Sequence, residues 1–151
     1  MEYRVRTSED FQQVTNDMHR RSFPFRVQVL SGDDRTGAQN RTLHKWFGEI
    51  AKQTGDSAAG VKGQCHHLYG VPIRSRDAQW RFMWDAVRAK IEGMTLPEGR
   101  TGYEVECAAL ASGNLKVSSG MTTKELSEYM DAMARDYREQ GVILTDPEAR
   151  Q

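Results

Sequence analysis

Cysteine is nearly missing from this chain: among 151 residues only Cys65 and Cys107 are present. Two thiols so far apart exclude a disulfide framework, and both are read as reduced packing residues. Long apolar runs are missing as well. No stretch approaches the roughly 18 to 20 consecutive apolar residues that a membrane-spanning helix needs. The opening Met1-Glu2-Tyr3-Arg4-Val5-Arg6 lacks the apolar run of a signal peptide. A cytoplasmic protein without a membrane partner is the expectation. The phosphate loop Gly-x-x-x-x-Gly-Lys-Ser/Thr, the Gly-x-Ser-x-Gly elbow and the dinucleotide fingerprint are also lacking. No cofactor and no catalytic residue is therefore expected.

Excess charge of one sign is the last absence, since 21 basic residues balance 21 acidic ones. The balance is uneven along the chain. Residues 1–34 carry 5 basic and 6 acidic groups, residues 35–100 carry 11 and 6, and residues 101–151 carry 5 and 9. Local charge is what attracts a polyanion, so the basic middle is compatible with a phosphate-binding face, although an ordinary mixed surface has the same composition. With 38% hydrophobic and 28% charged residues, the chain suits one globular domain spanning 1–151.

Tyr3-Arg4-Val5-Arg6 alternates and predicts a short strand, after which Ser8 is the expected cap of a helix carrying Phe11, Val14 and Met18 and stopping near Arg21. Phe23 to Leu30 again alternates with period two, placing Phe25, Val27 and Val29 on one side of a second strand. A β-α-β opening follows from these readings. The next helix runs to about Thr54, where Gly55 and Asp56 break it, and a shorter one around 58–69 ends at Gly70 with Pro72 close behind. Asp77 is the predicted N-cap of a helix whose stripe of Trp80, Met83, Trp84, Val87 and Ile91 forms core or dimer contact up to Gly93. Residues 94–102 read as a loop, and a strand or hairpin is expected between Tyr103 and Ser119. Thr122-Thr123-Lys124-Glu125 is a capping box opening the last helix, with Leu126, Tyr129, Met130, Met133 and Tyr137 as its apolar stripe and Gly141 as its stop. The predicted class is α+β: a single domain with an N-terminal β-α-β unit, helices, a short strand or hairpin and a C-terminal helix.

Within that frame Arg35-Thr36-Gly37-Ala38-Gln39-Asn40-Arg41 reads as a polar, cationic loop running into a helix. Leu43, Trp46, Phe47 and Ile50 fall at i, i+3, i+4 and i+7 on one helical face, while Arg41, Lys45 and Lys52 lie off it. Arg35 and Arg41 offer planar multi-donor contacts to phosphate, and Gln39 and Asn40 carry amides that suit phosphate or base edges. A helix start adds free N–H groups. The alternative is structural: Gln39 or Asn40 capping the helix and Arg41 pairing with a carboxylate. Lys45, Lys52 and Lys62 are candidates for phosphate neutralisation. Arg74, Arg76 and Arg81 crowd near Asp77, where one pairs locally and the others remain for DNA. Trp46 on the apolar stripe is expected in the core rather than stacked on a base.

Cys65-His66-His67 invites a metal reading, but adjacent histidines rarely converge on one ion and no Cys-x-x-Cys or His-Glu-x-x-His spacing accompanies them. No metal site is assigned. Two rival functions stay open. One is a small metal-dependent nuclease acting on recombination intermediates with Asp33, Asp34 and His44 near the ion. The other is a protein-interaction module without DNA affinity, docking through the acidic last helix with Glu125, Glu128, Asp131, Asp136 and Glu139.

Two blocks, Arg35 to Thr54 with its Arg-Thr-Gly-Ala-Gln-Asn-Arg-Thr-Leu start and Met121 to Pro147 with its closing helix and Gly-Val, are similar to the NinB/Orf family of lambdoid phage recombination proteins. Thr36 stands where that pattern has Ser, and residues 99–120 do not align. The resemblance implies a homodimer that binds single-stranded and branched DNA without sequence preference. It also implies contact with the host single-strand-binding protein and with a phage recombinase, in the role of recombination mediator. The DNA-contacting set expected on this reading is Arg35, Gln39, Asn40, Arg41, Lys45, Lys52, Arg74 and Arg76.

Overall fold

A computed structural model of the protein describes Tyr3, residues 5–27 and residues 34–146, with residues 34–36 described through their backbone alone. The chain forms two compact units, Met1–Gly32 and Asp33–Gln151. Among the described residues there is no strand, so the fold is all-α and the expected α+β class is incorrect.

The first unit holds α1, Ser8–Arg20. Its N-cap is Thr7 rather than Ser8. The Asp10 N–H donates to Thr7 Oγ1 at 3.1 Å, and the Thr7 and Arg6 N–H groups donate to Asp10 Oδ2 at 3.2 and 2.9 Å. That reciprocal box satisfies the donors that a helix start leaves open. No residue of α1 is buried. Among the described residues neither predicted strand forms: Tyr3, Val5 and Arg6 are irregular, as are residues 23–27, while Arg4 and residues 28–30 lie outside the described set. Alternation predicts a strand only when a neighbour accepts its hydrogen bonds, and Pro24 supplies no donor to such a ladder.

The second unit opens with α2, Asp34–Thr54, so the expected loop at 35–40 is already helical. Arg35, Ala38 and Gln39 favour the helix against Thr36, Gly37 and Asn40, and the Gln39 hydrogen bond to Ser127 ties this first part of α2 to α7. Leu43, Trp46, Phe47 and Ile50 are all buried, each such side chain worth about 1.5–3 kcal/mol on removal from water. The helix ends where predicted, at Gly55 with φ +84°, a left-handed backbone that only glycine adopts without strain.

Three short pieces follow: α3, Ala58–Cys65; a π-helical turn, His66–Gly70; and α4, Val71–Arg74. Gly70 does not stop the helix, because Pro72 sits at the start of α4, where its missing N–H costs nothing. Then come α5, Ala78–Glu92, and α6, Gly102–Ala111. Asp77 caps α5 as predicted, its Oδ1 accepting from the Gln79 and Trp80 N–H groups at 2.9 and 3.3 Å. Trp80, Trp84 and Ile91 are buried, yet Met83 is half exposed and Phe82 beside it more so.

The strand or hairpin expected between 103 and 119 is instead α6, capped by Thr101, followed by a 3-10 turn at Ser118–Gly120. Glycine and serine in this stretch gather at 112–120, after the helix, and leave Glu104 to Ala111 rich in the helix formers Glu, Ala and Leu. A Cβ on Gly63 would lie 2.5 Å from the Cys107 carbonyl oxygen, so the α3 and α6 backbones meet at a point where no side chain fits. Gly63→Ala is expected to destabilise the protein by about 1–3 kcal/mol, the usual cost of overpacking. A midpoint in urea unchanged from that of the parent would contradict the crossing.

The last helix, α7, Thr123–Glu139, begins at the predicted capping box, with Thr122 and Glu125 exchanging hydrogen bonds of 3.0 and 3.1 Å. Leu126, Tyr129, Met130 and Met133 are buried, and Gly141 has φ +87°. The chain then crosses back over α2 in extended form with Val142 and Leu144 buried. Gln53 donates to the Ile143 carbonyl at 2.7 Å and accepts from its N–H at 2.8 Å. Glu49 accepts from the Thr145 N–H and hydroxyl, at 3.1 and 2.8 Å, and Trp46 Nε1 donates to the Thr145 carbonyl at 2.8 Å. Side chains of α2 thus replace a neighbouring strand, and they fix the helix in rotation.

Candidate nucleic-acid interface

Residues 41, 45 and 52 differ by four and seven positions, so at about 100° per residue they fall within about 40° of one another on α2. The buried stripe of Leu43, Trp46, Phe47 and Ile50 lies on the opposite side. Arg41, Lys45 and Lys52 are exposed, and none has an ion pair or side-chain hydrogen bond among the described residues. Gly48 falls on the same line, with nothing within 4 Å of where a Cβ would sit. The result is a cationic ridge about 16 Å long, with a bare stretch of backbone in its middle.

His44 flanks the ridge, its ring edge-on to Phe47 at 5.6 Å. Partial burial lowers its pKa and the nearby Lys62 ammonium lowers it further, so the imidazole is neutral at pH 7. Lys62 of α3 therefore lies close enough to the ridge to add to its positive potential.

The other predicted contacts fare differently. The Arg35 side chain lies outside the described residues. Gln39 is half-buried and its Nε2 donates to Ser127 Oγ at 2.7 Å, tying α2 to α7; its Oε1 is buried without a hydrogen-bond partner among the described residues. Asn40 is also half-buried. Arg74 donates to the Lys116 carbonyl at 3.3 Å and the Gly120 carbonyl at 3.0 Å, and its guanidinium lies over the Trp80 ring at 5.8 Å. Arg76 makes a two-pronged pair with Glu128 at 2.9 and 2.7 Å. Both arginines are joints between elements, and the structure does not place them on the ridge.

Trp46 is in the core as expected, 4% exposed, its N–H used and its face covered by Arg138 at 5.9 Å. Cys65 and Cys107 are free and buried, and burial pushes the Cys65 thiol up to about 11. The adjacent histidines diverge. His66 enters the core with Nδ1 at 2.8 Å from Tyr129 Oη, while His67 Nε2 meets Glu106 at 3.0 Å. Among the described residues no three His, Cys, Asp or Glu side chains gather as metal ligands. Of the nuclease set, Asp33 and the Asp34 side chain lie outside the described residues. In the acidic helix, Glu125 is spent on its cap, Glu128 on Arg76, and Asp136 on the Tyr69 hydroxyl at 2.8 Å.

The first unit holds a feature that sequence reasoning assigned to a strand. Phe23 and Phe25 stack on each other with centroids 5.4 Å apart and planes 21° apart, and Phe23 is 88% exposed. The signal was present in the surrounding charge, because Arg20, Arg21 and Arg26 flank the pair and residues 19–27 contain no carboxylate.

No helix among the described residues is long and apolar enough to cross a membrane. Comparison with protein-family models, with curated proteins and with solved structures gave no match to this chain.

Proposed function

We propose that the protein binds single-stranded DNA through its phosphates, without sequence preference, along the ridge of Arg41, Lys45 and Lys52. The observation that carries this reading is their alignment: three exposed cations, free of carboxylate partners among the described residues, on the side of α2 opposite its buried stripe. A rigid helix presenting a row of cations neutralises backbone phosphates and reads no bases, which makes binding electrostatic and salt-dependent. A role as phage recombination mediator, with a second copy of the chain, the host single-strand-binding protein and a recombinase as partners, completes the proposal. Its support is the likeness of residues 35–54 and 121–147 to the NinB/Orf pattern.

The test is fluorescence anisotropy of a labelled mixed-sequence single strand, titrated at low and at moderate salt with the parent protein and with Arg41→Ala. Saturable binding that weakens with salt and with the substitution is expected. No binding by the parent at low salt would overturn the proposal and favour the protein-interaction reading.

A further inference from the structure

Burying a phenylalanine is worth about 1.5–3 kcal/mol, so a ring left 88% exposed at Phe23 is doing little for the fold. One of its faces is stacked on Phe25, and at that exposure the other is open to solvent. The rings sit just beyond the end of α1 at Arg20. Arg21 is held by Asp17, its Nε and Nη2 donating to Oδ2 at 3.2 and 3.1 Å. Arg20 is exposed and shares the Asp17 carboxylate only through a weak electrostatic contact, and Arg26 is exposed with no carboxylate partner among the described residues.

A planar apolar face bordered by guanidinium groups has a specific complement: a flat, polarisable ring attached to anions. Every nucleobase offers a π-face, and the phosphates on either side of it match the arginines. An acidic protein segment would satisfy the charge and leave the bare ring face without a planar partner. A paired base, stacked inside a duplex, cannot reach the ring at all.

We infer that the Phe23–Phe25 pair is a stacking platform for an unpaired base of a single-stranded nucleic acid, with Arg20 and Arg26 taking the adjoining phosphates. This deepens the proposed function and rests on it. The ridge supplies charge, whereas the ring pair supplies a preference for strands that carry bases.

The experiment compares an oligothymidylate with an abasic strand of equal length, which has the same phosphates and no bases, at one fixed salt concentration. The parent protein is expected to hold the base-bearing strand about tenfold more tightly. Phe23→Ala should abolish that difference while leaving the salt dependence as it was, and Phe23→Tyr, which keeps a flat ring, should retain it. Equal affinity for both strands in the parent would overturn the platform and leave phosphate binding standing. A base preference that survives Phe23→Ala would overturn it for this ring pair. Failure to bind either strand at low salt would overturn the nucleic-acid reading and the platform with it.

Discussion

With Arg41, Lys45 and Lys52 all replaced by alanine, the slope of log Kobs for single-stranded DNA against log[salt] is expected to become shallower by about 2. Each cation that neutralises one phosphate of a single strand contributes about 0.7 to that slope through counterion release. At 0.1 M salt the same arithmetic gives a loss of about 100-fold in affinity, vanishing near 1 M. The three side chains are exposed and touch no carboxylate among the described residues, so the melting temperature should hardly move. Arg74→Ala and Arg76→Ala are the contrasting controls. Their guanidinium groups join α4 and the turn that follows it to the 116–120 segment and to α7, so their removal should lower stability more than DNA binding. A triple variant with the parent's salt slope would remove the ridge from the interface.

That contrast also shows how far the sequence could be read. Arg41, Lys45 and Lys52 were legible because both the buried stripe and the cations obey one helical period within a single element. Arg74 and Arg76 are the same residue types at an equally basic place, but their partners lie at Lys116, Gly120 and Glu128. Nothing local announces a partner forty or more residues away. Gln39 belongs with them, since only the packing of α2 on α7 reveals Ser127 beneath it.

For the fold, the caps were the most legible signals. Asp77 and the Thr122–Glu125 box act on donors within three residues, and Gly55 and Gly141 are each demanded by a left-handed backbone. The strand predictions failed for the opposite reason. Alternation around Val5 and Phe25 states which side chains agree in direction, but a strand also needs a partner to pair with. Helix α6 was hidden because the glycines and serines of 112–120 were read together with it, and its close approach to α3 becomes evident only where Cys107 meets Gly63. The π-helical turn at 66–70 adds to the helix a residue that no 3.6-residue pattern anticipates. That turn delivers His66 to the core.

His66 makes the stability of the second unit sensitive to acid. Burial, with smaller contributions from Lys62 and His44, lowers its pKa from 6.5 to about 3 in the folded protein. Between those values the unfolded chain carries one more proton than the folded one, so each unit of falling pH favours unfolding by about 1.4 kcal/mol. The contribution is complete above 6.5 and is lost as the pH falls toward 3. From pH 7.5 to pH 5.0 the parent should therefore lose about 2 kcal/mol through this group. His66→Gln retains a hydrogen-bonding partner for the Tyr129 hydroxyl, which the imidazole meets at 2.8 Å, and has no proton to take up. Its urea midpoint should shift less between the two pH values than the parent's does. The carboxylates held low by their partners, Glu106 and Glu128 among them, lose their contributions only in more acidic solution. His44, also lowered by burial, titrates in the same direction and contributes to the dependence that His66→Gln leaves behind. Equal shifts in parent and variant would mean that the imidazole is not held neutral by the core.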